Sequence, residues 1–155
     1  MRASVLFVCL GNICRSPLAE AAFRRELEWL GVDVDIDSAG TGDWHVGRPP
    51  DARAQAVAAK NGIEISHLRA RQVGPADFLR FDYIVALDAQ NLATLRRMQP
   101  AESQAELSLL LDHVEGREGQ PVADPYYGGA DHFGVAWADV SAGATGLARK
   151  MAARP

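Results

Sequence analysis

A thiol and a guanidinium lie close together near the start of the chain. Cys9 opens the run Cys-Leu-Gly-Asn-Ile-Cys-Arg, which ends at Arg15 and is followed directly by Ser16. Gly11 and Asn12 adopt left-handed backbone angles at low cost, so the segment can curl with several amide N–H groups pointing inward. Such a loop binds an anion, and the planar fork of an arginine suits phosphate oxygens. The pattern predicts a phosphate-binding loop with a nucleophilic cysteine at its mouth.

A buried strand and a helix are predicted to position this loop. Residues 5–8 form an apolar run without polar alternation, which suits a strand covered on both faces. Ser16 fits the N-cap and Pro17 the first position of the following Ala-rich helix. The N-terminus of that helix then faces the loop, and its dipole, the inward amides and Arg15 favour a thiolate at Cys9.

The rest of the chain alternates predicted strands with predicted helices. Strands are expected at residues 32–39, 83–87 and 106–110, and helices at 17–30, 52–61, 75–79, 89–98 and from about 132. The run 106–110 also fits a buried helix, and 63–68 fits either an irregular connector or a short strand. This alternation indicates an α/β fold with a doubly wound, four-stranded parallel sheet flanked by helices. The phosphate-binding loop follows the first strand.

Length and composition exclude several classes of protein. The 155 residues, 48% of them hydrophobic, fit one domain spanning residues 1–155. A net charge of −4 at pH 7 argues against a nucleic-acid partner. We find neither a signal-peptide layout nor a bilayer-spanning apolar stretch, so we expect a cytoplasmic protein without a membrane partner. Two thiols without a nearby histidine cannot supply four zinc ligands, so no metal is expected.

A long loop rich in Gly, Pro and charge carries the candidate proton donor. Asp124 begins the run Asp-Pro-Tyr-Tyr-Gly within residues 115–131. A stiffened carboxylate among aromatic rings suits a general acid, but from this run alone a simple turn is equally well supported. Tyr126, Tyr127 and Trp44 would form the walls of a slot for a flat ring, although each also fits a packing role on its own loop.

Residues 8–22 and the Asp-Pro-Tyr-Tyr run closely resemble the low-molecular-weight protein tyrosine phosphatases, and the resemblance covers nearly the whole chain. It implies hydrolysis of phosphotyrosine and aryl phosphates through a cysteinyl phosphate, without metal or cofactor. Cys9 would be the nucleophile, Arg15 would hold the phosphate oxygens, and Asp124 would be the general acid. Arg15 would act together with the loop amides of Leu10, Gly11, Asn12, Ile13 and Cys14.

The resemblance also assigns supporting residues. Asn12 is expected in a left-handed conformation, fixed by a network of Ser16, Ser38 and His67, and Ser16 would stabilise the Cys9 thiolate. Trp44 would lie in the variable loop that tunes substrate choice, and the tyrosines of the Asp-Pro-Tyr-Tyr run would form an aromatic wall. Asp51 and Asp88 also match family positions; their local sequence does not separate a helix cap from a substrate contact, so we treat both as structural, with Asp51 as the cap of the helix at 52–61.

Cys14 and Ile13 bear on regulation and on the alternative functions. Cys14 is either a small loop-filling residue or a resolving thiol that captures oxidised Cys9 as a disulfide. Arsenate reduction on the same fold needs further thiols, and protein-arginine phosphatases resembling this chain have Thr where Ile13 stands. A non-catalytic phosphate-binding module would be expected to lose the nucleophile or the acid. The expected partner is a phosphotyrosine-containing protein, for example a bacterial tyrosine kinase, and the expected state is a monomer or weak dimer.

Overall fold

The chain forms a four-stranded parallel sheet with helices on both faces. The computed structural model describes residues 2–153. The elements are β1 (Ala3–Cys9), α1 (Arg15–Leu30), β2 (Val34–Gly40), α2 (Ala52–Lys60), α3 (Asp77–Arg80), β3 (Tyr83–Ala86), α4 (Ala89–Met98), β4 (Glu106–Leu109), a 3₁₀ helix (Leu110–His113) and α5 (Ala130–Ala152). The strand order is β2-β1-β3-β4, with all neighbours parallel, which confirms the predicted fold class. Within the described residues, no helix has the length and apolarity needed to cross a membrane.

Alternate side chains of β1 face two separate cores. Val5 and Phe7 lie in the core that also contains apolar side chains of α1 and α5, and the Phe7 ring meets Phe23 edge-on at a centroid distance of 5.3 Å. Leu6 and Val8 lie in the second core, with side chains of α3 and α4. Each fully buried side chain of this size contributes roughly 1.5–3 kcal/mol. Both faces of β1 are covered, which explains its continuous apolar run.

The strand order opens a crevice beside the carboxyl end of β1. The chain leaves β1 towards β2 and leaves β3 towards β4, which lies on the other side of the sheet, so the loops after β1 and β3 diverge. Cys9 is the last residue of β1. Leu87, just beyond β3, donates its N–H to Val8 O at 3.1 Å and accepts from Val122 N at 2.8 Å. The long loop that contains Asp124 is thereby brought to the same crevice.

Helix α1 begins earlier than predicted. Arg15 is its first residue and Cys14 occupies the N-cap position without a side-chain hydrogen bond, so the prediction of Ser16 as the N-cap was wrong. Ser16 is instead fully buried, and its hydroxyl is engaged with Cys9 Sγ and Asn12. The helix ends at Leu30 as predicted, and Gly31 follows it with a left-handed φ of 68°.

The structure decides the two regions that the sequence left open. Residues 63–68 are an irregular connector, and the run beginning at Glu106 is a strand that passes directly into the 3₁₀ helix. Asp51 caps α2 as predicted, by accepting the Arg53 N–H, and Asp88 caps α4 by accepting the Asn91 N–H. These two caps anchor the helices whose N-termini border the crevice.

Candidate active site

Cys9 lies at the bottom of the loop, with its sulfur held by two donors. Its Sγ is 3.0 Å from the Ser16 hydroxyl oxygen and accepts the Asn12 backbone N–H at 3.3 Å. Only 3% of the residue is exposed, and the exposed part faces a cleft. A sulfur that meets donors on its protein side and open space on the other is placed to attack a bound ligand.

Asn12 holds the loop in shape through its side-chain amide. With a φ of 56°, Asn12 is the one non-glycine residue in the left-handed region among residues 2–153, as predicted. Nδ2 donates to Ser16 Oγ at 2.8 Å and to Ser38 Oγ at 3.0 Å, and Oδ1 accepts the Arg71 backbone N–H at 3.0 Å. Because a backbone N–H can only donate, the Arg71 contact fixes which end of the amide carries the nitrogen.

The hydrogen-bond network has one direction, and it ends at the sulfur. Ser38 Oγ donates its proton to Glu20 Oε1 at 2.7 Å and therefore accepts from Asn12. The side-chain amide of Asn12 donates one N–H to each of the two serines, so Ser16 Oγ also accepts a hydrogen bond from Asn12. A Cys9 thiolate can only accept, so it takes the Ser16 proton at 3.0 Å; the other acceptor within reach of that hydroxyl, Ala39 O, lies at 3.5 Å. The network therefore stabilises negative charge on the sulfur.

His67 lies outside this network, contrary to the prediction. Its side chain is exposed and, within residues 2–153, makes no hydrogen bond to Asn12, Ser16 or Ser38. Glu20, only 4% exposed, supplies the outer acceptor in its place and is itself paired with Arg24 at 2.8 Å. A signal was available, because Glu20 stands four residues after Ser16 and so shares its helix face.

Arg15 is buried at the first turn of α1 with its guanidinium aimed into the cleft. Only 3% of it is exposed; Nη1 donates to Asp88 Oδ2 at 2.8 Å and to Val122 O at 2.9 Å. Both Nη1 protons are thereby used, which leaves the remainder of the fork for a phosphate. The sequence leaves open whether Asp88 caps a helix or contacts substrate; in the structure one of its oxygens caps α4 while the other holds Arg15. The contact spans 73 positions, so no local pattern reveals it.

The candidate acid approaches the same guanidinium from the long loop. Asp124 Oδ2 lies 3.6 Å from Arg15 Nη2, and Oδ1 accepts the Tyr126 backbone N–H at 3.1 Å. The Asp124 side chain is 42% exposed, so its carboxylate is reached by solvent as well as by a ligand in the cleft. The turn interpretation and the catalytic one are therefore compatible, because the same carboxylate makes both contacts.

An open cleft of about 400 Å³ brings the predicted residues together. Its lining comprises Cys9, Leu10, Gly11, Ile13, Cys14, Arg15, Trp44, His45, Asp124, Tyr126 and Tyr127. Trp44 is 67% exposed and Tyr127 96%, and Tyr126 meets Tyr127 edge-on at 5.0 Å. The aromatic walls thus stand at the rim rather than in a core. His45 was not predicted; its ring crowds Gly11, where an added Cβ would come within 3.1 Å.

Cys14 differs from Cys9 in its surroundings, although both thiols are free and buried. Burial, together with the neighbouring Asp51 carboxylate, raises the pKa of Cys14 well above its ordinary value. Cys14 is therefore a neutral thiol near neutrality. Among the described residues, no three His, Cys, Asp or Glu side chains are grouped to hold a metal ion.

The strand order and the loop at Cys9 define the class of protein: an α/β protein with a phosphate-binding loop after its first strand. Within this class, residues 4–154 match the family model described as low molecular weight phosphotyrosine protein phosphatase. The chain belongs to that family.

Relatives and solved structures agree with this assignment. A Schizosaccharomyces pombe protein named low molecular weight phosphotyrosine protein phosphatase is 51% identical over 133 residues, which cover 84% of this chain and 85% of the relative. The crystal structure of YfkJ from Bacillus subtilis superposes with a TM-score of 0.90 at 40% identity, over 97% of this chain and 95% of that one. The structure of DARP, a Drosophila arginine phosphatase, also reaches 0.90, at 31% identity over 97% and 98% of the two chains. The fold alone therefore does not distinguish these two substrate classes.

Proposed function

We propose that the protein hydrolyses phosphotyrosine in proteins, and aryl phosphates generally, in two steps without metal or cofactor. The observation that carries this proposal is the meeting of Cys9, Arg15 and Asp124 in one cleft with an aromatic rim. The relatives named for this activity support it, since the identity extends over most of both chains. A single domain, residues 1–155, would carry the whole reaction.

In the first step the Cys9 thiolate attacks phosphorus as the bond to the phenolic oxygen breaks. Arg15 and the loop amides bind the three equatorial oxygens, where negative charge is spread in the transition state. Asp124 gives its proton to the departing phenolic oxygen, so tyrosine leaves as a neutral phenol. A cysteinyl phosphate remains on Cys9.

In the second step water attacks the cysteinyl phosphate. Asp124, now a carboxylate, takes a proton from this water, and the S–P bond breaks to release inorganic phosphate. The electron pair returns to Cys9 Sγ, where the Ser16 proton and the Asn12 N–H receive it. The same network therefore serves the thiolate both as nucleophile and as leaving group.

The aromatic rim and Ile13 favour a tyrosyl over an arginyl substrate. Trp44 and Tyr126 provide flat apolar surface for a phenyl ring, and Ile13 lines the cleft at the position where the resemblance to arginine phosphatases implies Thr. Arsenate reduction is disfavoured because the sequence has no thiol beyond Cys9 and Cys14 to pass a disulfide outward.

We propose that the protein acts in the cytoplasm on a phosphotyrosine-containing protein, for example a bacterial tyrosine kinase. Such a kinase presents phosphotyrosine on exposed segments, which suits a cleft that opens at the surface. The large exposed apolar side chains include Trp29 and Leu30 at the end of α1, Trp44 and Tyr127 at the cleft rim, and Leu79 and Val135 on α3 and α5. Such separate small patches suit a monomer or a weak dimer rather than an obligate one.

Phosphate release from three matched peptides tests the substrate class. The peptides share one sequence and carry phosphotyrosine, phosphoarginine or phosphoserine at the central position. We expect turnover of the phosphotyrosyl peptide with a kcat/KM at least about tenfold above that of the phosphoarginyl peptide. A difference of a single methylene group in the fit to a hydrophobic pocket already gives discrimination of about this size. Preference for phosphoarginine would replace the tyrosyl assignment with the second substrate class.

A further inference from the structure

Arg53 lies outside the catalytic groups, yet its side chain contacts both the acid loop and the α5 helix. Nη1 donates to Gly128 O at 2.9 Å. The guanidinium carbon lies 5.6 Å from the centroid of the Tyr126 ring and 4.6 Å from that of Phe133. The guanidinium therefore holds the carboxyl-terminal side of the acid loop by one directional bond and by contact with one of its rings.

The opposite edge of the same guanidinium is fixed by Asp51. Nε donates to Asp51 Oδ1 and Nη2 to Oδ2, each at 3.0 Å, which is the two-pronged geometry that orients an arginine plane. The Arg53 hydrogen bonds lower the pKa of Asp51, so this pair stays ionised through the neutral range. Asp51 in turn donates its backbone N–H to Ile13 O in the phosphate-binding loop at 2.9 Å.

These contacts form a continuous connection from the phosphate-binding loop to the general acid. It runs from Ile13 to Asp51, through Arg53 to the acid loop, and from the Tyr126 N–H to Asp124 Oδ1. On its other side the acid loop is tied at Val122, whose backbone groups pair with Leu87 and Arg15. Without Arg53, the carboxyl-terminal side of a loop that has no regular secondary structure would lose this anchor.

We propose that Arg53 is a positioning residue that sets the place of Asp124 relative to Cys9. The direct contact between Asp124 and Arg15, 3.6 Å long, offers no substitute during the reaction, since Arg15 is then occupied by phosphate oxygens. Arg53 binds neither the phosphate nor the leaving group; it acts through the loop. This inference rests on the proposed function, because it concerns the proton donor of that reaction.

Leaving-group dependence separates loss of the acid's position from general damage. kcat/KM is measured for phenyl phosphate, whose leaving oxygen needs a proton, and for dinitrophenyl phosphate, whose leaving group departs as a stable anion. We expect Arg53→Met to lose at least about tenfold on phenyl phosphate and to stay within about twofold on dinitrophenyl phosphate, as general-acid catalysis contributes 10²–10⁴-fold. Arg53→Lys keeps the charge but not the fork, and its loss on phenyl phosphate should be intermediate.

The double variant Arg53→Met, Asp124→Asn provides a readout independent of folding. Once the proton donor is removed, removing its positioning residue should cost no more on phenyl phosphate than Asp124→Asn alone. Arg96→Met, which removes an exposed arginine of α4, is the control for loss of one positive charge and should behave as wild type. Equal losses of kcat/KM on both substrates, or additive losses in the double variant, would overturn the proposed role of Arg53 and leave the assignment of Asp124 as the acid intact. If Asp124→Asn lost equally in kcat/KM on phenyl phosphate and on dinitrophenyl phosphate, the assignment of Asp124 as the general acid would be overturned as well.

Discussion

The Ser16 hydroxyl lies 3.0 Å from the Cys9 sulfur and accepts from Asn12, and towards a Cys9 thiolate, which can only accept, it is the donor. Charge-assisted hydrogen bonds of this kind contribute about 1.5–3 kcal/mol. The contact therefore connects a loop-shaping network directly to the reactivity of the nucleophile.

Removing this hydroxyl should weaken both chemical steps. In Ser16→Ala the thiolate loses its side-chain donor, so we expect alkylation of Cys9 by iodoacetate at neutral pH to slow by about tenfold or more. kcat should fall by a similar factor, since Cys9 leaves as a thiolate in the second step. Ser141→Ala is the matched control, because Ser141 Oγ is buried and has no hydrogen-bond partner among residues 2–153. Unchanged alkylation in Ser16→Ala would contradict the direction assigned to the network.

Asp88 should affect phosphate binding although it is remote in sequence. In Asp88→Asn the 2.8 Å ion pair to Arg15 becomes at best a neutral contact, so the guanidinium is held less firmly over the phosphate. We expect inorganic phosphate to inhibit this variant about tenfold less strongly than wild type, with KM raised accordingly. Asp33→Asn, at a mostly exposed carboxylate paired with Arg2, should leave both constants unchanged. Equal inhibition of both variants would show that Asp88 acts only as a cap.

Cys14 should be far less reactive than its position beside Cys9 suggests. Burial and the nearby Asp51 raise the pKa of Cys14, so its thiolate is scarce near neutrality. Iodoacetamide at pH 7 is therefore expected to modify Cys9 and spare Cys14, as read by mass spectrometry of the digested protein. Faster labelling of Cys14 would contradict this. The role of Cys14 as a resolving thiol stays a prediction. If the Cys14 thiol reacts slowly, formation of its disulfide with Cys9 will also be slow at neutral pH.

His113 should make stability depend on pH, away from the active site. Burial and the adjacent Lys150 ammonium lower its pKa from 6.5 to about 4, so the unfolded chain takes up the proton first. The stability from the neutral folded form is fully present above pH 6.5 and is lost as pH falls towards about 4. We expect a loss of roughly 1–3 kcal/mol in unfolding free energy over this range, after allowing for solvent screening.

Denaturant titrations across this pH range test that dependence. The His113→Gln protein should lose most of the decline, while His132→Gln, at a side chain that is 60% exposed, should retain it. The prediction fails if wild type and His113→Gln decline in parallel.

Local signals explain why much of the fold was predictable. The bounds of α4 match the prediction because a capping Asp88 precedes it and Pro100 follows closely. The continuous apolar run of β1 indicated a strand covered on both faces, and β1 lies between β2 and β3 in the sheet. The start of α1 was missed because Ser16 has the residue type of a cap while its hydroxyl is engaged with the Cys9 sulfur.

Two parts of the site that sequence reasoning missed depend on long-range contacts. Cys9 and Arg15 were identified from one compact motif and Asp124 from the family resemblance, and the cleft brings the three together. Asp88 holds Arg15 across 73 positions, and Arg53 reaches Gly128 across 75. Such pairings depend on how the loops after different strands meet at one edge of the sheet, which residue type and spacing do not encode.

The covalent intermediate tests the central claim most directly. The protein is mixed with a phosphotyrosyl peptide, quenched in acid within the first turnovers, and the position of phosphate is read by mass spectrometry after digestion. We predict phosphate on Cys9 and none on Cys14, with no adduct and no turnover in Cys9→Ser. Phosphate release by Cys9→Ser, or turnover of wild type without a phosphorylated Cys9, would contradict the account.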